Sequence, residues 1–386
     1  MGRTGVWLLG ARGSVATTAV LGAFALREGA AEPTGCVTAR PEFGGAGLPG
    51  IDELVFGGHD LSDVRLCKTA ERLARTGVLP GHLPGAFADR LDGVERALRP
   101  GLVSGDGPVL RQDVRHLEED LRGFAEREGV ERTVVIDLTS TEARPEACPE
   151  HEDLDALEAA LDSGGARIPT SSAYAYAALR AGCAFVEFTP NTGPRLPALR
   201  ELAQREGLPW AGCDGKTGET LVKSALAPMF AARALRVRSW SSVNLLGGGD
   251  GETLSDPAHV GSKTESKGLG LEKMLGHPVD GPLHIDYVPD LGDAKTAWDH
   301  VSFEGFLGSR MTLQFTWAGH DSALAAPLVL DLVRLAALAH GRGTTGSVPE
   351  LGFFFKDPAD SGVHGLVEQW QALTSWCSTP EEGSDR

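Results

Sequence analysis

The 386-residue chain predicts a doubly wound α/β domain followed by a second domain built on a mixed sheet. Three observations carry that expectation. An apolar run at the very start breaks at a glycine turn and continues as an alanine-rich helical stretch. Apolar runs of strand length then recur, separated by helical segments and ending in small polar residues. Beyond Gly212 the pattern changes, and strand-like runs surround a glycine-rich loop.

Taken in order, Thr4–Leu9 (TGVWLL) is a buried strand, and the turn Gly10-Ala11-Arg12-Gly13-Ser14-Val15-Ala16 leads into a helix to about Arg27. Strand, glycine turn and helix open a dinucleotide-binding unit, although the spacing here is G-x-x-G-x-x-A and Arg12 takes the middle glycine's place. Gly35–Thr38 is expected to be the second strand. The acidic residue that would hold an NAD ribose is then sought at Asp60, in Leu54–Asp60. Arg132–Leu138 and Cys183–Phe188 are further strands, ending in Thr139-Ser140-Thr141-Glu142 and Thr189-Pro190-Asn191-Thr192, where open α/β sheets place ligands. Glu152–Asp162 and Leu196–Arg205 are helical.

In the second half, Leu221–Leu235 is a helix, and Arg236–Leu245, Leu283–Val288 and Ser309–Trp317 are strands. Residues 247–251 form a glycine-rich hairpin loop, Ser322–His340 is a long helix, and the tail from Ser378 is expected to be disordered.

Composition narrows the chemistry. A net charge of −17 disfavours nucleic acid and anionic membrane as partners. No apolar run is read as long enough to span a membrane, and Val6–Gly10 is too short for a signal peptide. Six scattered cysteines without a C-x-x-C pair suit reduced thiols in the cytoplasm. No His/Asp cluster has clear metal-ligand spacing, so metal use is left open. Only eight of the 36 basic residues are lysines, and six of those fall between Lys216 and Lys295. A chain that otherwise uses arginine keeps lysine where a compact or proton-transferring amine is needed.

The stretch GCDGKTGETLVKS, Gly212–Ser224, ends like a Walker A loop, but Trp210 stands where that motif needs glycine. It is instead an anion cradle. Lys216, Thr217, Gly218, Glu219 and Thr220 precede or open a helix whose free N–H groups can bind phosphate.

These motifs, in order along nearly the whole chain, resemble the myo-inositol-1-phosphate synthase family. They are the N-terminal glycine turn, VFGGHD at Val55–Asp60, TSTE at Thr139–Glu142, YAYAAL at Tyr174–Leu179 and FTPNT at Phe188–Thr192. They continue with DGKTGET at Asp214–Thr220, NLLGGGDG at Asn244–Gly251, SKTESK at Ser262–Lys267, GDAKTAWD at Gly292–Asp299 and HDSALAAP at His320–Pro327. The resemblance implies a Rossmann-type doubly wound domain (1–212) and an inserted α+β catalytic and tetramerisation domain (213–320). C-terminal helices (321–386) return to the first domain. It implies NAD at Gly10, Ala11, Arg12, Gly13, Ser14, Val15, Asp60, Thr139, Ser140, Thr141, Asp250 and Asp293. Catalysis falls to Lys263, Lys267, Lys295, Lys356, Asp214 and Asp321, with the substrate phosphate at Lys216–Thr220 and Lys267. The assembly implied is a cytoplasmic homotetramer acting on a hexose 6-phosphate.

The implied chemistry explains the residue types. A sugar hydroxyl is oxidised by NAD, the ketone acidifies its neighbour, an enolate closes the ring, and the hydride returns. Each stage develops negative charge on oxygen, which ammonium groups stabilise, and lysines crowded together lower one another's pKa. Several positions depart from the family pattern: Gly248-Gly249 for Asn-Asn, His59 for Trp, and Glu219 for Gln. The substrate implied first is glucose 6-phosphate, giving 1L-myo-inositol 1-phosphate, and these departures make fructose 6-phosphate, giving a five-membered ring, the alternative. An NAD-dependent sugar-phosphate dehydrogenase is the lower alternative.

Overall fold

The computed structural model describes residues 2–103, 107–248 and 271–379. Its first sheet has seven parallel strands: β1 Thr4–Leu9, β2 Leu54–Asp60, β3 Leu98–Pro100, β4 Arg132–Asp137, β5 Ala184–Glu187, β6 Pro209–Gly212 and β11 Gly346–Ser347. Their order, β11-β6-β5-β4-β1-β2-β3, reverses direction between β1 and β4. Open α/β sheets place their ligands at such a switch point. All six residues of β1 are buried, as a continuous apolar run in a central parallel strand should be.

Helices cover both faces: α1 Ser14–Arg27, α2 Leu66–Arg75, α3 Arg111–Glu128, α4 Leu154–Ser163, α5 Thr170–Arg180 and α6 Pro197–Glu206. After α7, Glu219–Ala232, comes a four-stranded sheet: β7 Arg236–Leu246, β8 Leu283–Tyr287, β9 Lys295–Glu304 and β10 Arg310–Gly319. Its order is β10-β9-β7-β8, parallel only between β7 and β8. One face packs on α7 through Ala227, Phe230, Val237, Trp240 and Val301. The chain then returns to the first sheet as α8, Asp321–Gly341, which packs beside α1, and ends in α9, Leu366–Ser378.

Three expectations need correction. Gly35–Thr38 is not a strand; the second strand is Leu54–Asp60, and residues 37–39 form a single 3₁₀ turn. Asp331 of α8 fixes that turn by accepting from the Val37 N–H (2.6 Å), the Thr38 N–H (3.0 Å) and the Thr38 hydroxyl (2.5 Å). Lys295–Glu304 is an inner strand of the second sheet, unrecognised because buried Asp299 interrupts its apolar inner row. The α8 segment does have the length and apolarity of a membrane span, contrary to expectation, but it is mostly buried in the core. The expected tail disorder concerns residues 380–386, which lie outside the described residues; α9 itself reaches Ser378.

Burial pushes the Asp331 carboxyl up to about 6, and three donors depend on it. Asp331→Ala should therefore cost about 2–4 kcal/mol of stability by urea denaturation. A cost under about 1 kcal/mol would show that the turn holds without it.

Candidate functional site

Ligand space opens at the switch point. Gly10 ends β1 in the left-handed region (φ +74), where a Cβ would stand 2.9 Å from the Leu138 carbonyl oxygen, so the turn needs glycine. Gly13 caps α1 without a side chain, leaving the helix N-terminus open to an anion. Gly10, Gly13–Ala16 and Leu138–Thr141 form one wall of a cleft of ≈ 380 Å³. Gly10 and Thr139–Thr141 also border a second hollow of ≈ 900 Å³ that extends to His59, Asp60, Leu102 and Tyr174. Two hollows joined across a glycine turn suit the two halves of a dinucleotide.

Asp60 ends β2 and its carboxylate accepts from the backbone N–H groups of Arg12 (2.6 Å) and Ser62 (2.6 Å). The Arg12 guanidinium is committed to Glu95 and the Ser62 carbonyl, and Ala11 is buried. His59 is structural: its Nδ1 accepts from the Trp7 indole (3.0 Å), which leaves Nε2–H to donate to Asp120 (3.1 Å). Asp293 is gripped by Arg72 (2.7 and 2.6 Å) and Thr76 (2.9 Å), while Arg72 also donates to Ser14 Oγ (2.9 Å). That clamp ties the turn before β9 to the first turn of α1.

The opposite wall of the same cleft carries Asp214, Gly215, Thr217, Gly248, Asp293, Asp321 and Lys356. Asp214 sits at φ +62, a conformation Asp tolerates better than most residues. Main-chain bonds fix it from two sides: its N–H donates to the Thr189 carbonyl (2.9 Å), and its carbonyl accepts from the Lys356 N–H (2.7 Å). The side chains then pair, Lys356 Nζ to Asp214 Oδ1 at 2.7 Å, and both are largely buried. Asp214 Oδ2 is buried with no partner among the described residues. A second pair, Lys295 Nζ to Asp321 Oδ2 at 3.0 Å, follows one step along, and Thr217 reaches Asp321 Oδ1 at 3.4 Å.

The cradle divides into two parts. Gly218 caps α7 with no side-chain bond, so the first-turn N–H groups stay open, and Thr220 Oγ1 is buried and unpartnered among the described residues. Lys216 and Glu219 turn inward. The Lys216 amine donates to Gln369, and burial pushes it down to about 7. Glu219 accepts from Lys223, whose amine also donates to Ser242 (2.9 Å) and lies 3.5 Å from Asp299. Sequence reasoning missed Arg72, Gln369, Ser242 and Asp299. Asn191, inside the FTPNT motif, could have been picked out as the bridge between two cleft loops: its amide donates to Thr139 (3.2 Å) and to the Ser140 carbonyl (3.1 Å). Asp250, Lys263 and Lys267 lie outside the described residues. Among those described, no group of three or more His, Cys, Asp or Glu side chains could hold a metal.

Known proteins resemble this chain in sequence and in fold. The family model described as myo-inositol-1-phosphate synthase matches residues 4–377. The chain is 32% identical over 414 residues to inositol-3-phosphate synthase 1 of Bacteroides thetaiotaomicron, covering 96% of this chain and 94% of that one. It is 34% identical to the inositol-3-phosphate synthase of Spirodela polyrhiza, over 75% of this chain and only 60% of the longer plant protein. The fold superposes on inositol-3-phosphate synthase of Caenorhabditis elegans with a TM-score of 0.88 at 22% identity, covering 98% and 85% of the two chains.

Gly13→Leu places a branched side chain where the α1 N-terminus meets the cleft. NAD affinity should fall about a hundredfold by calorimetry while the circular dichroism spectrum is kept. Unchanged affinity would remove the cofactor from this turn.

Proposed function

Because the chain belongs to the myo-inositol-1-phosphate synthase family and uses NAD, we propose that it converts glucose 6-phosphate into an inositol phosphate. The observation that carries the reading is the Lys356–Asp214 pair on a cleft whose other wall is the glycine turn, with Asp321 on the same wall and paired to Lys295 behind it.

When bound, NAD supplies reversible hydride transfer at one sugar carbon. The remaining work falls to the chain. The open first turn of α7 and Thr217–Thr220 hold the phosphate. The Lys356–Asp214 pair takes the proton that leaves the C5 hydroxyl as its C5–H departs as hydride, and later returns it. With C5 a ketone, a C6 proton is removed and the enolate oxygen is stabilised by the Lys295 ammonium, itself oriented by Asp321. C6 then bonds to the C1 aldehyde carbon, whose oxygen takes up the proton equivalent that left C6. Reduction at C5 closes a redox-neutral isomerisation. Lys263, Lys267 and Asp250 complete the set as the family resemblance assigns them. Asp293, held by Arg72, fixes the turn that carries Lys295 into place.

The same reading assigns residues 1–212 and 321–386 to the cofactor domain and 213–320 to a catalytic and assembly domain. It makes the protein a cytoplasmic homotetramer. Support for assembly comes from the second sheet, where Phe306 and Leu307 are 88% and 89% exposed and Trp298 stands on the outer face. Support for a reducing compartment comes from six unpaired cysteines.

Incubation with glucose 6-phosphate and catalytic NAD, followed by NMR of the product, should give a six-carbon ring with no net NADH. A five-membered ring from fructose 6-phosphate alone would transfer the same chemistry to the ketose. Lys295→Arg keeps charge but loses the compact amine, so kcat should fall about a hundredfold or more. Near-normal turnover would show that charge alone suffices there.

A further inference from the structure

Beneath the cofactor cleft lie two acids that the reaction does not use. Asp137 and Glu187 end adjacent strands β4 and β5 and are partners in the parallel register, so their side chains share one face of the sheet. Both are fully buried. One oxygen of each is committed to its own loop. Asp137 Oδ1 accepts from the Thr139 N–H at 2.8 Å, and Glu187 Oε1 accepts from the Thr189 N–H (3.0 Å) and hydroxyl (2.6 Å). The other oxygens, Asp137 Oδ2 and Glu187 Oε2, are buried with no hydrogen-bond partner among the described residues, and the two carboxyls stand side by side on adjacent strands.

Two adjacent carboxylates sealed from water cannot both be ionised without a large electrostatic penalty, whereas one proton between them satisfies both free oxygens. We propose that Asp137 and Glu187 share one proton, and that this pair is a positioning device holding the Thr139–Thr141 and Thr189–Thr192 loops together across the cofactor cleft. Asn191 forms the upper link between the same loops and the acid pair the lower one. The two tie-points fix the cleft wall on which Thr139, Ser140, Thr141, Thr189 and Pro190 meet the cofactor.

The surroundings favour retention of the proton. Burial raises the Asp137 carboxyl and pushes that of Glu187 well above the ordinary carboxylate range, and Glu187 is raised further by the negative charge of Asp137 and of Glu142, itself pushed up to about 7 and bonded to Ser171. Arg195 opposes this from one side, while the Cys213 thiol and the Tyr174 hydroxyl facing the pair are both pushed up and stay neutral. Burial and the neighbouring acids thus favour the protonated form of the pair.

Infrared spectroscopy at pH 8 should show the C=O stretch of a protonated carboxyl in the wild-type protein that is missing in Glu187→Gln and kept in Glu142→Gln. NAD binding tests the positioning role and does not depend on the sugar substrate. Glu187→Gln replaces the shared proton with an amide hydrogen and should keep the Kd for NAD within about threefold. Asp137→Ala strands the Thr139 N–H and should raise it tenfold or more. If the alanine variant fails to fold, Asp137→Asn, which also supplies an amide hydrogen, should match Glu187→Gln, and Glu187→Leu should bind as weakly as expected for the alanine. No protonated-carboxyl band, or a Gln variant as weak as the alanine or leucine one, would overturn the shared proton. Wild-type affinity in a folded Asp137→Ala would overturn the positioning role.

Discussion

The cleft wall opposite the glycine turn depends on joining Lys356 to Asp214 across 142 residues of sequence. A largely buried ion pair gives little net stability, because desolvating two charges offsets much of their attraction, while removing one partner costs about 3–5 kcal/mol. The fold therefore holds the pair by other means. Cys213 and Asp357 exchange main-chain hydrogen bonds, the Lys216 N–H donates to Phe354, and the Gly215 N–H donates to Phe188. The Cys213–Lys216 segment is thereby stitched between the end of β5 and the Phe354–Asp357 stretch. The charges sit where the backbone puts them, and their chemistry follows from a geometry they did not create.

Around that pair, three helix N-termini converge in a protein whose net charge is −17. The N-termini of α1, α7 and α8 all open on the cleft region, and aligned helix dipoles favour anions there. Two of these ends receive no side-chain cap from Gly13 or Gly218, which leaves N–H groups available to phosphate oxygens. Deeper in, Lys223 is enclosed by Glu219, Ser242 and Asp299 and anchors the first turn of α7 to the second sheet. The first turn of α7 and the sheet that carries Lys295 are thus mechanically linked.

What the sequence reveals follows from which forces are local. β1, β4 and β5 are legible because continuous apolar runs end at turn residues, and the glycine turn is legible because Gly10 needs a positive φ. Gly35–Thr38 misleads because its conformation is imposed by Asp331, almost three hundred residues away. β9 is hidden because its buried row includes Asp299, whose Oδ1 accepts from Ser242 and Trp240 and lies 3.5 Å from the Lys223 amine, all on other elements. At the site, scarce lysines mark themselves in an arginine-rich chain, but their partners do not. Nothing near Lys216 in sequence points to Gln369, and nothing near Asp293 points to Arg72.

The central claim is that one cleft oxidises and then reduces the same sugar carbon without releasing the cofactor. Glucose 6-phosphate deuterated at C5, incubated with catalytic unlabelled NAD, tests it most directly by mass spectrometry of the product and of the recovered cofactor. A product that keeps its deuterium at the corresponding ring carbon, with unlabelled cofactor and no net NADH, is the expected result. Deuterium on released NADH in stoichiometric amount would contradict the cycle and make the protein a simple dehydrogenase.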